Sequence, residues 1–142
     1  MPNTTTMMDN TQELVNLTGA ACKADGWYGI DDGLHTVAIQ VVNFTGRIYV
    51  EASLALYPSE DDWFAVPLTP STPYLQFPLN PMKPTGSMET GGDTLSVGKS
   101  FKINAIWIRA RLDRSYLENV LFAEDPNVLS LYGNVVKITL AR

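Results

Sequence analysis

Sulfur and imidazole chemistry are nearly missing from this sequence. Cys22 is the only cysteine in 142 residues and His35 the only histidine, which excludes an internal disulfide, a cysteine-based zinc site and every motif built on paired histidines. A nucleophilic enzyme would have one imidazole to draw on and no recognisable Ser or Cys setting around it. No catalytic residue, cofactor or bound metal is therefore expected. Positive charge is scarce too. Ten Lys plus Arg stand against fifteen Asp plus Glu, a net charge of −5, and this removes the counterion-release term that drives binding to nucleic acid or anionic membranes. No apolar run reaches the roughly 18 residues of a membrane span, and no basic start leads into an apolar stretch. Synthesis in the cytoplasm, without a leader, is the expectation.

Helical periodicity is the next absence. No stretch keeps apolar residues at a 3.6-residue spacing for ten positions, and seven of the nine prolines fall between Tyr57 and Pro84, where they forbid a helix of normal length and confine strands such as Trp63 to Leu68 or Tyr74 to Phe77 to short or edge positions. What the sequence does contain is alternation of period two. In His35 to Val42 the residues Val37, Ile39 and Val41 share one face, and in Arg47 to Leu56 the residues Ile48, Val50, Ala52, Leu54 and Leu56 face inward while Arg47, Tyr49, Glu51 and Ser53 face outward. Joined by Asn43-Phe44-Thr45-Gly46, the two read as an antiparallel hairpin with one solvated face. Ser100 to Leu112 reads as one central strand whose apolar parity switches near Trp107, through a bulge or burial of both faces. Leu14 to Cys22 gives a first strand and Asn134 to Ala141 a last one.

Between the strands lie turns. Asp25-Gly26 and Asp31-Asp32-Gly33 bracket Trp27-Tyr28, residues 85–98 read as a polar, glycine-rich loop, and at most one helical turn fits between residues 113 and 123. Residues 1–12, rich in Thr, Asn and Met, read as an extended arm ordered by a neighbour. With 45% hydrophobic residues, 142 positions suffice for one core. The expected architecture is all-β: a single antiparallel β-sandwich over residues 13–142, of six to eight strands, jelly-roll-like, preceded by the arm.

Candidate functional residues are surface groups. Trp27, Tyr28, Tyr57, Trp63, Phe64, Tyr74 and Phe77 lie in or beside loops, where exposed rings anchor protein interfaces or stack on sugars, and Trp27, Tyr28, Trp63 and Phe64 are taken as the partner contacts. Arg109 and Arg111, with Arg114 and Asp113, lie on the polar face of the strongest strand, placed for bidentate carboxylate pairing either with the chain's own acidic loops or with another subunit. Glu60-Asp61-Asp62 and Asp31-Asp32 offer hard oxygens to a cation, but their spacing fits no defined calcium loop and turn chemistry accounts for them. His35 is expected to hydrogen-bond a turn at a strand end. No pair among the fifteen carboxylates is singled out for glycoside hydrolysis.

The run from His35 through Ala55, followed by Glu60-Asp-Asp-Trp-Phe, then Trp107-Ile-Arg-Ala-Arg-Leu-Asp and Gly133-Asn-Val-Val-Lys-Ile, resembles a module of virion structural proteins of tailed bacteriophages over about residues 25–142. That resemblance implies a non-enzymatic capsid decoration or cement protein in the virion. It would bind major capsid or tail proteins as a homo-oligomer or multi-copy lattice, with neither nucleic acid nor membrane as partner. A tail, neck or baseplate component, or a carbohydrate-binding module of a host-attachment fibre using Trp27, Tyr28, Trp63 and Phe64 as stacking platforms, is the alternative.

Overall fold

A computed structural model describes residues 4–9, 16–30, 32–77, 79, 93–114 and 133–141. Among them run ten strands: β1 (Thr4–Asp9), β2 (Asn16–Thr18), β3 (Cys22–Lys23), β4 (Leu34–Phe44), β5 (Gly46–Ser53), β6 (Trp63–Ala65), β7 (Tyr74–Phe77), β8 (Asp93–Lys102), β9 (Trp107–Asp113) and β10 (Asn134–Ala141). Among the described residues, two short 3-10 turns, Asp25–Tyr28 and Glu60–Asp62, are the helical elements. The strands form two antiparallel sheets. The first has the order β1-β10-β4-β8, and the second β2-β9-β5-β6, with β3 also on β9 and β7 also on β5. Val37, Ile39, Val41, Ile138 and Leu140 of the first sheet belong to one hydrophobic cluster with Ile48, Val50, Ala52, Ile108, Ala110 and Leu112 of the second. The fold is all-β and antiparallel, two sheets over a shared core.

The pairing is nested. β1 pairs with β10, β2 and β3 with β9, β4 with β8, and β5 with β6 and β7, as though one long hairpin had been doubled over, and the further pairings β10 to β4 and β9 to β5 close the sheets. Chain neighbours therefore tend to land in opposite sheets, and this overturns the expected hairpin of β4 and β5. They are separated only by Thr45 yet pair with different partners. A corner replaces the turn. Asn43 adopts a positive φ of 47°, Phe44 turns into the core against Phe77 of the second sheet with ring centroids 5.4 Å apart, and Gly46 is required where a Cβ would sit 2.8 Å from the Phe44 ring. Alternation specifies which residues point inward, and both sheets look inward at the same core, so the pattern cannot tell a hairpin from a corner.

The same logic divides the segment read as one strand from Ser100 to Leu112. β8 ends at Lys102, and residues 103–106 step across to the second sheet, with Ile103 N–H donating to Gly33 O at 2.9 Å and Ile106 N–H to Ser53 O at 2.9 Å. The parity switch is this crossing, not a bulge. The expected loop over residues 85–98 is likewise strand from Asp93 onward, paired to β4; residues 85–92 lie outside the described set. So does most of the expected helical turn, whose first residue, Asp113, ends β9. The predicted first strand resolves into β2 and β3, the short strands at Trp63 and Tyr74 are present, and the last strand spans Asn134–Ala141 as expected. Within the expected arm, Thr4–Asp9 is an edge strand, because a register shift between Thr6 and Met8 turns both Met7 and Met8 inward and so conceals the alternation.

Candidate functional site

The outer face of the second sheet carries the densest chemistry. Register fixes its rows: Trp63, Ser53, Trp107 and Lys23 lie side by side, then Ala65, Glu51 and Arg109, then Tyr74, Tyr49 and Arg111, then Gln76, Arg47 and Asp113. Residues directly opposite across strands share a face within contact distance, and Arg47, Tyr49, Glu51, Arg109 and Arg111 join in one network there.

Its centre is Glu51, which is buried. Its carboxylate accepts from Arg109 Nε at 2.9 Å through one oxygen and from Arg111 Nε at 3.1 Å through the other. Glu60 meets the remaining end of Arg109, accepting from Nη1 at 3.3 Å and Nη2 at 3.1 Å. Each guanidinium also lies over a ring: Arg109 Cζ is 4.2 Å from the Trp63 centroid, Arg111 4.1 Å from Tyr49, and Arg47 4.5 Å from Tyr74. Tyr49 and Tyr74 pack at 5.4 Å between centroids and Arg47 Nε donates to Gln76. The result is an alternating ladder of cations, rings and carboxylates across the sheet.

Electrostatics follow the geometry. The hydrogen bonds from Arg109, and then its charge, hold the Glu60 carboxyl below the ordinary glutamate range. Burial alone would lower Arg109, but the hydrogen bonds to Glu60 and Glu51 outweigh it and its guanidinium is pushed up. Glu60 is steered into place by the 3-10 turn Glu60–Asp62, in which Asp62 Oδ2 accepts from the backbone N–H of Ser59 at 2.7 Å and from its hydroxyl at 3.1 Å. Two of the three carboxylates in the acidic triplet thus have structural work. Among the described residues no group of three or more His, Cys, Asp or Glu is placed to hold a metal ion.

The network ends in an aromatic and apolar rim. Trp107 packs on Trp27 with centroids 4.9 Å apart, Lys23 Nζ lies 4.7 Å over Trp27, and Trp107 Nε1 donates to Leu56 O at 3.0 Å. Leu54, Leu56 and Tyr57 then project outward, Tyr57 being 88% exposed. The expectation that Leu54 and Leu56 face inward is corrected, because β5 stops at Ser53 and the alternation runs past the end of the strand.

The six residues singled out from sequence therefore divide. Arg109, Arg111 and Trp63 meet in the network, where the arginines pair with the chain's own Glu51 and Glu60. Trp27 joins the rim. Tyr28 follows it in the 3-10 turn with about half its surface exposed. Phe64 sits opposite Ala52 and Trp63 opposite Ser53, so the two rings leave opposite faces of β6, and the four aromatics do not share one platform. Trp107, Tyr49 and Glu51 were not singled out, whereas Tyr74, expected as a ring beside a loop, packs on Tyr49 within the sheet. The outward parity of Tyr49 and Glu51 is in the sequence, but the register of β5 with β9 and β7, which brings them beside Arg109, Arg111 and Tyr74, is not contained in sequence spacing.

His35 occupies a separate, fully buried place. Its Nδ1 donates to Gly33 O at 2.8 Å, while Nε2 accepts from the Asp25 backbone N–H at 3.3 Å. Asp25 Oδ2 in turn accepts from Gly33 N–H at 3.1 Å, and the ring stacks on Phe101 at 5.7 Å. Both ring nitrogens are satisfied by the turn.

No protein-family model matches the chain, and no curated protein or solved structure matches it either.

Proposed function

We propose that this chain is a non-enzymatic structural protein of a bacteriophage particle, most simply a decoration or cement protein that bridges neighbouring shell subunits; a tail, neck or baseplate position is the same role at lower copy. The observation that carries the proposal is the rim of Leu54, Leu56, Tyr57 and Trp27, large apolar side chains exposed just past the end of β5 and in the 3-10 turn Asp25–Tyr28. Surfaces of this kind, apolar and aromatic with arginines and carboxylates beside them, are what protein interfaces use. Within the rim, Trp107 is tied both to Trp27 and to the Leu56 carbonyl.

The nested pairing and the strand orders β1-β10-β4-β8 and β2-β9-β5-β6 favour a jelly-roll description of the sandwich. Such a body closes most of its hydrogen bonding internally and leaves loops and sheet ends for docking. The resemblance of the His35 to Phe64 and Trp107 to Asp113 runs to phage virion modules supports the same assignment.

The test is stoichiometry in particles. In phage particles purified from a host infected by the phage that encodes this chain, quantitative mass spectrometry is expected to find it in fixed ratio to the major structural proteins, with a Tyr57→Ala, Leu56→Ser variant retained less well. A chain made during infection but missing from the particles overturns the proposal.

A further inference from the structure

We infer that β1 is an exchangeable strand, able to leave its place beside β10 and fill the same place on a second copy of the chain. This goes beyond the virion reading and stands or falls without it, because it rests on β1 and its seat alone.

β1 is the end strand of the first sheet and, among the described residues, pairs only with β10, from Thr4 opposite Ala141 to Asp9 opposite Lys137. Only Met7 and Met8 enter the core; the other four residues of the strand are exposed. Fixing six backbone residues is therefore set against two buried side chains and one ladder of hydrogen bonds, a close balance. Residues deeper in the sheets, such as those of β4 between β10 and β8, have a neighbour on both sides. A cleft of about 390 Å³ opens beside β1, lined by Thr6, Met7, Met8 and Asp9 on one side and by Leu17, Gly19 and Ala20 on the other.

The seat is nonetheless specific. Gly19 donates its N–H to Ala110 O at 2.8 Å, which places it in the second sheet alongside β9. A Cβ there would collide with the Met7 carbonyl oxygen, so only glycine lets the β1 backbone approach. Together, the edge of β10, the notch at Gly19 and the register shift that turns both methionines inward select a strand of this sequence rather than any extended peptide. A second copy supplies the same strand, so the pairing of Thr4–Asp9 with β10 and the seat at Gly19 are kept. Exchange then costs none of these contacts, and protein concentration sets which copy's strand is bound.

Thr6 and Thr139 face each other across the β1–β10 ladder, at a separation that suits a disulfide, and the native Cys22 is buried. Full-length Thr6→Cys and Thr139→Cys chains are mixed at high concentration, warmed briefly, diluted and oxidised. The expected result is a mixed covalent dimer in which peptide mapping finds position 6 of one chain joined to position 139 of the other. It should form at least tenfold faster than in a control mixture of Thr6→Cys with Ser100→Cys on exposed β8. A chain carrying both substitutions and oxidised while dilute, so that its own β1 is locked, is expected to stay monomeric on concentration. A mixed-dimer yield no greater than the control overturns the inference, as does a locked chain that dimerises like the parent.

Discussion

The two sheets turn very different outer faces to their surroundings. On the first, β4 presents Thr36, Ala38, Gln40 and Val42, and β8 presents Thr94, Ser96, Gly98, Ser100 and Lys102, all of them exposed. Apart from the exposed apolar residues Leu34 and Val42 towards the two ends of β4, side chains there are small or polar. On the second, Glu51, Ser53 and Arg109 point outward from the core and are buried all the same, because tryptophans, tyrosines and neighbouring arginines lie over them. One face ends at the backbone plane, and the other carries a further packed layer. Both sheets share a single core, and this extra layer lies outside it.

The contrast breaks most visibly at Glu51. Replacing it with alanine leaves Arg109 and Arg111 without the carboxylate that joins them, both in a poorly solvated layer. Removing one partner of a buried ion pair is costly, and with the side chain about one-eighth exposed a loss of about 3 kcal/mol is expected in urea denaturation. Gln40→Ala, outward on the first sheet, is expected to stay within about 0.5 kcal/mol of the parent. Similar losses for the two variants would mean that the faces do not differ in kind.

Glu51 also marks how far the sequence could be read. Its outward parity is plain in Arg47-Ile-Tyr-Val-Glu-Ala-Ser, and so is that of Arg109 and Arg111 in Trp107-Ile-Arg-Ala-Arg. The all-β class, the antiparallel sheets and most of the strands follow from this alternation and from the spacing of Gly, Pro and Asp. What spacing omits is which strand lies beside which. Glu51 meets Arg109 across 58 positions of chain, a distance set by nested pairing. Local pattern could not reveal it, and for the same reason β4 and β5 read as a hairpin. The ion-pair cluster between these arginines and the acidic loops was legible as a possibility, because charges of opposite sign were waiting on outward positions. The apolar rim was not, since Leu54 and Leu56 continue the inward parity of β5 after the strand has ended. β1 escaped notice because two adjacent inward methionines obey no simple period.

A subtler change sharpens the comparison. Arg109→Lys keeps the charge but removes the planar fork that reaches Glu51 and Glu60 at once while lying on Trp63. A loss of about 1–2 kcal/mol is expected from the missing hydrogen bonds and ring contact, together with a shift in tryptophan fluorescence. An unchanged spectrum and midpoint would show that charge alone holds the layer.

Acid should reach the same layer first at its exposed corner. Glu60 titrates below the ordinary glutamate range in the folded chain because Arg109 hydrogen-bonds and attracts its charged form. Its contribution to stability is therefore complete above the unfolded carboxyl's titration and is lost as pH falls through the lower folded value. The gap in urea midpoint between the parent and Glu60→Gln is expected at neutral pH and should close on acidification. A gap that persists in acid would place the benefit of Glu60 in something other than its charge. In Arg109→Lys, NMR titration should find Glu60 moved back toward its ordinary value.

The smallest effect belongs to the first sheet. Thr36 Oγ1 and Ser100 Oγ share a hydrogen bond of 2.8 Å across β4 and β8, in full contact with solvent. Water replaces such a bond at little cost, whereas the β-branched shape of Thr36 suits a strand whichever atoms complete it. Thr36→Val should accordingly fall within about 0.3 kcal/mol of the parent, and Thr36→Ala should lose about 0.5 kcal/mol through the missing branch. If Thr36→Val instead cost as much as Arg109→Lys, the hydroxyl pair would be holding an ordered layer of its own on the first sheet, and the asymmetry that assigns docking to the second sheet would lose its physical basis.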